Sequence, residues 1–258
     1  MEKEMSSALS KLESKICEHK VISDSLLKEI LSKLNKQKLE RIKERIKPVL
    51  DYMKENFNLT EEEENAFTFR VYNYFFQKKA DDIYVDVELA NIQMLSEIFD
   101  NVGIPISFKR SLLIGYLIED YASTEYIKDA LSIVHQAKKQ RVSLIISGAP
   151  GIGKTLLACH LLWAYLILND YKNTKSVRFY SYYNLEKNFL DKKFIVVDDF
   201  NLMPKDKIRD LIYKVYDNDI LAVLTTNLSD LEFLNMFKNE LRVLRRIGEK
   251  FRWLFLSH

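Results

Sequence analysis

Cysteine is nearly absent from this chain. Of 258 residues only Cys17 and Cys159 carry a thiol, far apart and in no ligand-spaced cluster. A disulfide framework and a cysteine metal site are therefore not expected, and a reducing cytoplasm is the expected location. Cys159, on an apolar stretch, reads as a core residue. His19, His135, His160 and His258 are scattered and suggest no metal site either. Glycine and proline are scarce, at 6 and 4 residues, so long stretches run as helix without a breaker. No apolar run approaches the ~20 residues that span a bilayer; the longest is Leu161 to Leu168. The Met1-Glu2-Lys3-Glu4 start has no apolar segment of the signal-peptide kind. A soluble, intracellular protein with no membrane partner is expected. A large charge of one sign is missing too: the net charge of +2 neither requires nor excludes nucleic acid, which leaves that question to local charge. With 47% hydrophobic and 29% charged residues the chain is ordinary globular material, sized for one large domain or two modest ones.

The first hundred residues read as helices alone. Between Leu26 and Met53 the apolar positions Leu27, Ile30, Leu31, Leu34, Leu39, Ile42, Ile46, Val49 and Met53 step along one helix face, and Pro48 is expected to kink or divide it. Thr60-x-x-Glu63 fits a capping box at the start of a second helix, whose body is aromatic from Phe67 to Phe76. A third helix is expected over Val85 to Phe99. Asn101-Val102-Gly103-Ile104-Pro105 breaks it and marks the domain boundary, giving a helical domain over 1–100 and a second domain over 101–258.

Beyond the boundary, short apolar runs alternate with helices. Expected strands are Val142 to Ser147, Val177 to Ser181, Phe194 to Asp198, Ile220 to Thr226 and Phe251 to Leu256. Between or before them lie expected helices from Tyr126 to Lys139, from the loop after Ser147 to about Asn169, from Lys205 to Asp217 and from Asp230 to Leu241. This rhythm implies an α/β fold with a parallel sheet covered by helices on both faces.

The loop after the first strand reads Gly148-Ala149-Pro150-Gly151-Ile152-Gly153-Lys154-Thr155, which satisfies the P-loop pattern. Its glycines let backbone N–H groups turn inward around a polyphosphate, and the following helix start adds positive potential. ATP and Mg²⁺ are the expected ligands, with Lys154 on the β and γ phosphates and the Thr155 hydroxyl on the metal. Three of the chain's six glycines fall within these eight residues, which argues against a chance turn.

Phe194-Ile195-Val196-Val197-Asp198-Asp199 ends an apolar strand in two acids. Ligands of parallel sheets bind beyond the carboxyl ends of strands, so Asp198 is expected in the Mg²⁺ shell and Asp199 beside the attacking water. Many ATPases place Glu at the second position; the shorter Asp199 is expected either to work through a water or to hydrolyse slowly, and ATP hydrolysis is expected to be slow and partner-stimulated. The strand from Ile220 ends in Thr225-Thr226-Asn227; Asn227 is expected to bond the γ-phosphate or the lytic water, while Thr225 and Thr226 can simply finish the strand.

Together these residues resemble the AAA+ ATPases of the DnaC/DnaI helicase-loader and IstB-like group, over roughly residues 101–258. Gly103-Ile104-Pro105-x-x-Phe108 resembles that group's approach to its ATPase core, and Asp198-Asp199 and Thr226-Asn227-Leu228 resemble its Walker B and sensor 1. Leu241-Arg242-Val243-Leu244-Arg245-Arg246-Ile247 resembles the stretch carrying its arginine finger, with Arg246 the best match. The resemblance implies a P-loop AAA+ sheet with no separate lid domain, an oligomer assembled on a partner or on DNA, a replicative helicase as partner, and contact with single-stranded DNA. Two departures are visible. The segment between Ser181 and Phe194 is shorter than the group's helical, DNA-contacting insertion, and the N-terminal region lacks the Cys/His zinc pattern of some loaders. An IstB-like transposition helper and an ATP-switched interaction scaffold with little turnover remain alternative readings.

Other features keep two readings each. The basic run Lys33 to Lys47 is a solvated face or a phosphate-binding face. The aromatic Phe67 to Phe76 segment is core or a docking face. Tyr180, Tyr182 and Tyr183 follow the second strand where aromatic rings can stack on bases. Lys238 to Arg252 is a plain basic face or the frame of a finger.

Overall fold

A computed structural model of the chain describes residues 43–44, 46–68, 83–119, 125–185 and 189–256. The expected helix between Leu26 and residue 42, and the aromatic positions Phe69, Tyr72, Tyr74, Phe75 and Phe76, lie outside the described residues. Among the described residues no helix is long and apolar enough to cross a membrane. Contacts divide them into two compact units, one holding residues 43–100 and 105–119, the other 101–104 and 125–256.

In the first unit, helix α1 (Lys47–Phe57) begins with Pro48 in its first turn, the one place where a missing N–H is harmless. Proline thus starts this helix. Val49, Leu50, Met53 and Phe57 form its buried face, and Asn58 ends it in the left-handed conformation. The capping box is formed in full: the Thr60 hydroxyl accepts from the Glu63 N–H at 3.3 Å and Glu63 accepts from the Thr60 N–H at 2.9 Å. Residues 61–68 are helical, and Phe67 is buried. Helix α2 (Ile83–Val102) extends beyond both expected ends, and α3 (Ile106–Glu119) is a helix that the pattern did not announce. Arg110 of α3 ties the unit together, donating to the carbonyl of Phe57 at 2.8 Å and to the Glu63 carboxylate at 2.7 Å.

The second unit is a three-layer sandwich. Its elements run α4 (Glu125–Gln140), β1 (Ser143–Gly148), α5 (Lys154–Leu168), β2 (Val177–Ser181), β3 (Phe194–Asp198), α6 (Lys205–Asp217), β4 (Leu221–Thr226), α7 (Asp230–Met236), α8 (Leu241–Lys250) and β5 (Phe251–Leu256). The five strands are all parallel, in the order β2-β3-β4-β1-β5. Strands covered on both faces read as near-continuous apolar runs, and β3 and β4 are buried along nearly their whole length, with polar residues only at their carboxyl ends.

Side chains alternate between the faces. Ile145, Ile195, Val197, Ala222, Leu224 and Phe251 point into one core with Ile208, Leu211 and Ile212 of α6, Phe233 of α7 and Val243 and Ile247 of α8. The other face meets α5, where Tyr165 packs on Phe194 with ring centroids 4.5 Å apart. Helix α5 is buried almost all round because α4 covers its outer side. The helix expected from Asp230 to Leu241 stops at Met236, and α8 begins where that expectation ended. Ser229 and Glu232 close a capping box on α7, and the chain breaks at 237–240. No glycine or proline causes that break. Phe237 is drawn into the core against Phe233, and Glu240 is held by Lys205 at 2.7 Å.

Candidate functional site

The loop Gly148 to Thr155 joins β1 to α5, so it sits at the carboxyl end of the central strands. Gly153 has φ +96°, a left-handed conformation that favours glycine, and as N-cap it offers no side chain to the first-turn N–H groups of α5. Those amides are left facing the loop, which is the construction that binds phosphate. Gly148 is required for a different reason: an added Cβ would lie 2.7 Å from the backbone oxygen of Leu256, on the neighbouring β5. The Lys154 side chain folds back over the loop, and Nζ donates to the carbonyls of Gly148 at 2.9 Å and Ala149 at 2.8 Å. Burial lowers the Lys154 pKa from its ordinary value, while the Asp199 and Asp198 charges pull it back up.

Asp198 follows Val196 by two residues and therefore points to the α5 face. There its Oδ1 accepts from the Thr155 hydroxyl at 2.8 Å. It also accepts from the Thr225 hydroxyl at 2.6 Å, because β4 pairs with β3 in the register Val197–Leu224 and places Thr225 beside Asp198. The Thr225 oxygen in turn accepts from the backbone N–H of Asp199 at 2.8 Å. Asp199 sits in a left-handed conformation at φ +51°. Burial and the Asp198 charge raise its carboxyl pKa, and Lys154 opposes them. The Cys159 thiol, one turn into α5, is fully buried and its pKa is pushed well up by burial, which makes it an inert core group.

The structure therefore brings together Lys154, Thr155, Asp198 and Asp199. Asn227 is exposed, in the loop leaving β4, and β4 lies between the P-loop strand and the Asp198 strand. Arg246 is placed elsewhere. It projects from α8 onto α6, with its guanidinium over the rings of Tyr213 at 4.4 Å and Tyr216 at 5.1 Å and paired with Asp217 at 3.2 Å. Asp217 closes α6 just before β4 starts, at the end of the sheet opposite the loop. Arg242 and Arg245 on the same helix are exposed. Tyr182 and Tyr183 are exposed after β2, but Tyr180 is buried in the core and is not available to stack on a base. Thr225, left as a possible strand end by its sequence, is in contact with both acids; the doubled threonine before Asn227 was its one visible signal.

Residues 121–201, which hold the P-loop and both acids, match the family model Novel STAND NTPase 3. The crystal structure of the DnaC helicase loader aligns with a TM-score of 0.37 and 23% identity, covering 50% of this chain and 86% of that chain. No curated protein matches the chain. The all-parallel sheet and the loop between β1 and α5 make this an α/β P-loop fold of the NTPase kind.

Proposed function

We propose that this chain is an ATP-dependent loader of a replicative DNA helicase, which binds and hydrolyses ATP in an oligomer and contacts single-stranded DNA. The observation that carries the ATPase part is the meeting of Thr155 and Asp198 beside the loop, at 2.8 Å. A hydroxyl and a carboxylate are the hard oxygen donors that suit Mg²⁺, so the residues fit that ion. When bound there, Mg²⁺ neutralises charge on the phosphates.

Lys154 and the backbone N–H groups of Gly151 to Thr155 grip the polyphosphate. Asp199 orients the attacking water and takes its proton, and Asn227 holds that water or the γ-phosphate. Arg246 reaches the nucleotide of a neighbouring copy, and its position away from its own loop supports a role in trans. The loader part rests on the resemblance of Gly103-Ile104-Pro105, Asp198-Asp199, Thr226-Asn227-Leu228 and the Arg246 stretch to the helicase-loader group. Exposed Tyr182 and Tyr183 support contact with unpaired bases.

The test is a pull-down of the cognate replicative helicase by this protein, with and without ATP and Mg²⁺. Capture is expected, with nucleotide changing its extent. No capture in either condition overturns the loader part, and capture of a cognate transposase instead favours the transposition-helper reading.

A further inference from the structure

We infer that Thr225 is a positioning residue of the nucleotide site, setting the direction of the Asp198 carboxylate and the backbone of Asp199 through one hydroxyl. The inference rests on the nucleotide-binding reading of Gly148 to Thr155 and adds a residue to it.

The argument starts from what a buried strand position requires. Thr225 lies in β4 and has no exposed surface. Its neighbours Val223 and Leu224 show that this strand is satisfied by apolar side chains. Valine would fill the same volume, and a buried hydroxyl is costly unless its hydrogen bonds are made. Here both are made, and both go to the two acids. The Thr225 O–H donates to Asp198 Oδ1 at 2.6 Å, and its oxygen accepts from the Asp199 N–H at 2.8 Å. Because the oxygen takes the Asp199 N–H, its own hydrogen is left to point at Asp198.

Two consequences follow at the atoms that matter. Oδ1 of Asp198 receives two hydroxyls, one from Thr155 and one from Thr225, which fixes the carboxylate plane and turns Oδ2 to its other side. Asp199 is held by its N–H in a left-handed conformation that residues with a Cβ adopt reluctantly. That conformation sets where the Asp199 side chain leaves the strand end. Lys154 and the loop amides make no bond to Thr225, so the grip on phosphate itself does not depend on it.

The experiment is a titration of Mg²⁺ into the full-length protein with the fluorescent analogue mant-ATP, alongside steady-state ATP hydrolysis. For Thr225→Val the Mg²⁺ midpoint is expected to rise about tenfold and kcat to fall about tenfold. Binding of mant-ATP in EDTA should stay at the wild-type level, a split that general loosening of the fold would not produce. Thr225→Ser keeps the hydroxyl and should return both values to within about twofold of wild type. Thr225→Ala removes the same hydroxyl with a smaller side chain and is read in the same way should the valine variant fail to fold. A wild-type Mg²⁺ midpoint and kcat in either hydroxyl-free variant overturns the inference. If the wild-type protein itself shows no Mg²⁺-dependent mant-ATP binding, the nucleotide-site reading has failed, which is a distinct result.

Discussion

The Thr155 hydroxyl donates to Oδ1 of Asp198 across 2.8 Å, joining the first turn of α5 to the end of β3. The two residues are far apart in sequence and meet because Asp198 faces α5. Thr155→Ala should weaken Mg²⁺-supported ATP binding roughly tenfold and leave binding in EDTA little changed. Calorimetry in the two conditions checks this, and equal losses in both would mean that the hydroxyl serves only the fold.

Lys154 carries the only side-chain cation that the structure folds over the loop carbonyls of Gly148 and Ala149 among the described residues. Removing it as Lys154→Ala should cost roughly a hundredfold in ATP affinity, the equivalent of one or two charge-assisted hydrogen bonds. Unchanged affinity by calorimetry would rule out the site.

Asp199 should show itself through pH. Its raised pKa means that the carboxylate forms at a higher pH than for an ordinary Asp, so the acid limb of kcat should lie higher than an ordinary Asp would set it. The same shift bears on stability. A group whose folded pKa is raised favours the fold below its unfolded pKa and loses that contribution as pH rises through the folded value. At neutral pH the Asp199 charge is therefore a burden on the fold. Asp199→Asn should raise Tm at pH 7, with the gain shrinking in acid, while hydrolysis falls. A lower Tm at pH 7 would contradict this.

Arg246 is held by Asp217 and by the rings of Tyr213 and Tyr216, so its removal touches the fold as well as any neighbour. Arg246→Ala should cost about 1–2 kcal/mol of stability in urea unfolding. It should spare ATP binding and lower hydrolysis in the assembled state. Hydrolysis that is unaffected under assembly would place the finger elsewhere, with exposed Arg242 as the next candidate.

Arg110 tests the helical unit alone. It bonds the carbonyl that ends α1 and the Glu63 of the capping box, both partly shielded from water. Arg110→Ala should destabilise this unit by about 1–3 kcal/mol, because a carbonyl and a carboxylate lose their partner together. Hydrogen exchange at residues 47–68 would register it, and unchanged protection there would refute it.

Much of the sheet was legible in the amino-acid order. The bounds of β2, β3, α6 and β5 are those expected from their residues, and β3, buried on both faces, reads as an unbroken apolar run closed by Asp198. The phosphate loop was legible because its chemistry is local: eight consecutive residues build it. Helix α3 was not, because Leu112, Leu113 and Ile114 bury adjacent positions and leave no clean periodic face. The early end of α7, ahead of the unexpected α8, was hidden for another reason. Its cause is the burial of Phe237 and the hold of Lys205 on Glu240, contacts made across the fold. Thr225 was missed likewise, for its role depends on the register between β3 and β4.

The order of the strands has a consequence for how the protein is made. Strand β1 carries the loop, yet its two neighbours, β4 and β5, are synthesised only after β2, β3 and α6. A growing chain that has just produced Gly148 to Thr155 holds the apolar run Leu144 to Ile146 without either flanking strand. Parallel pairing across such separations is slow, so this stretch stays exposed in the nascent chain until its neighbours are made. The backbone of Leu256, which lies against Gly148, is made only after β2, β3 and β4. The proposed grip on nucleotide is therefore expected only once β4 and β5 have paired with β1.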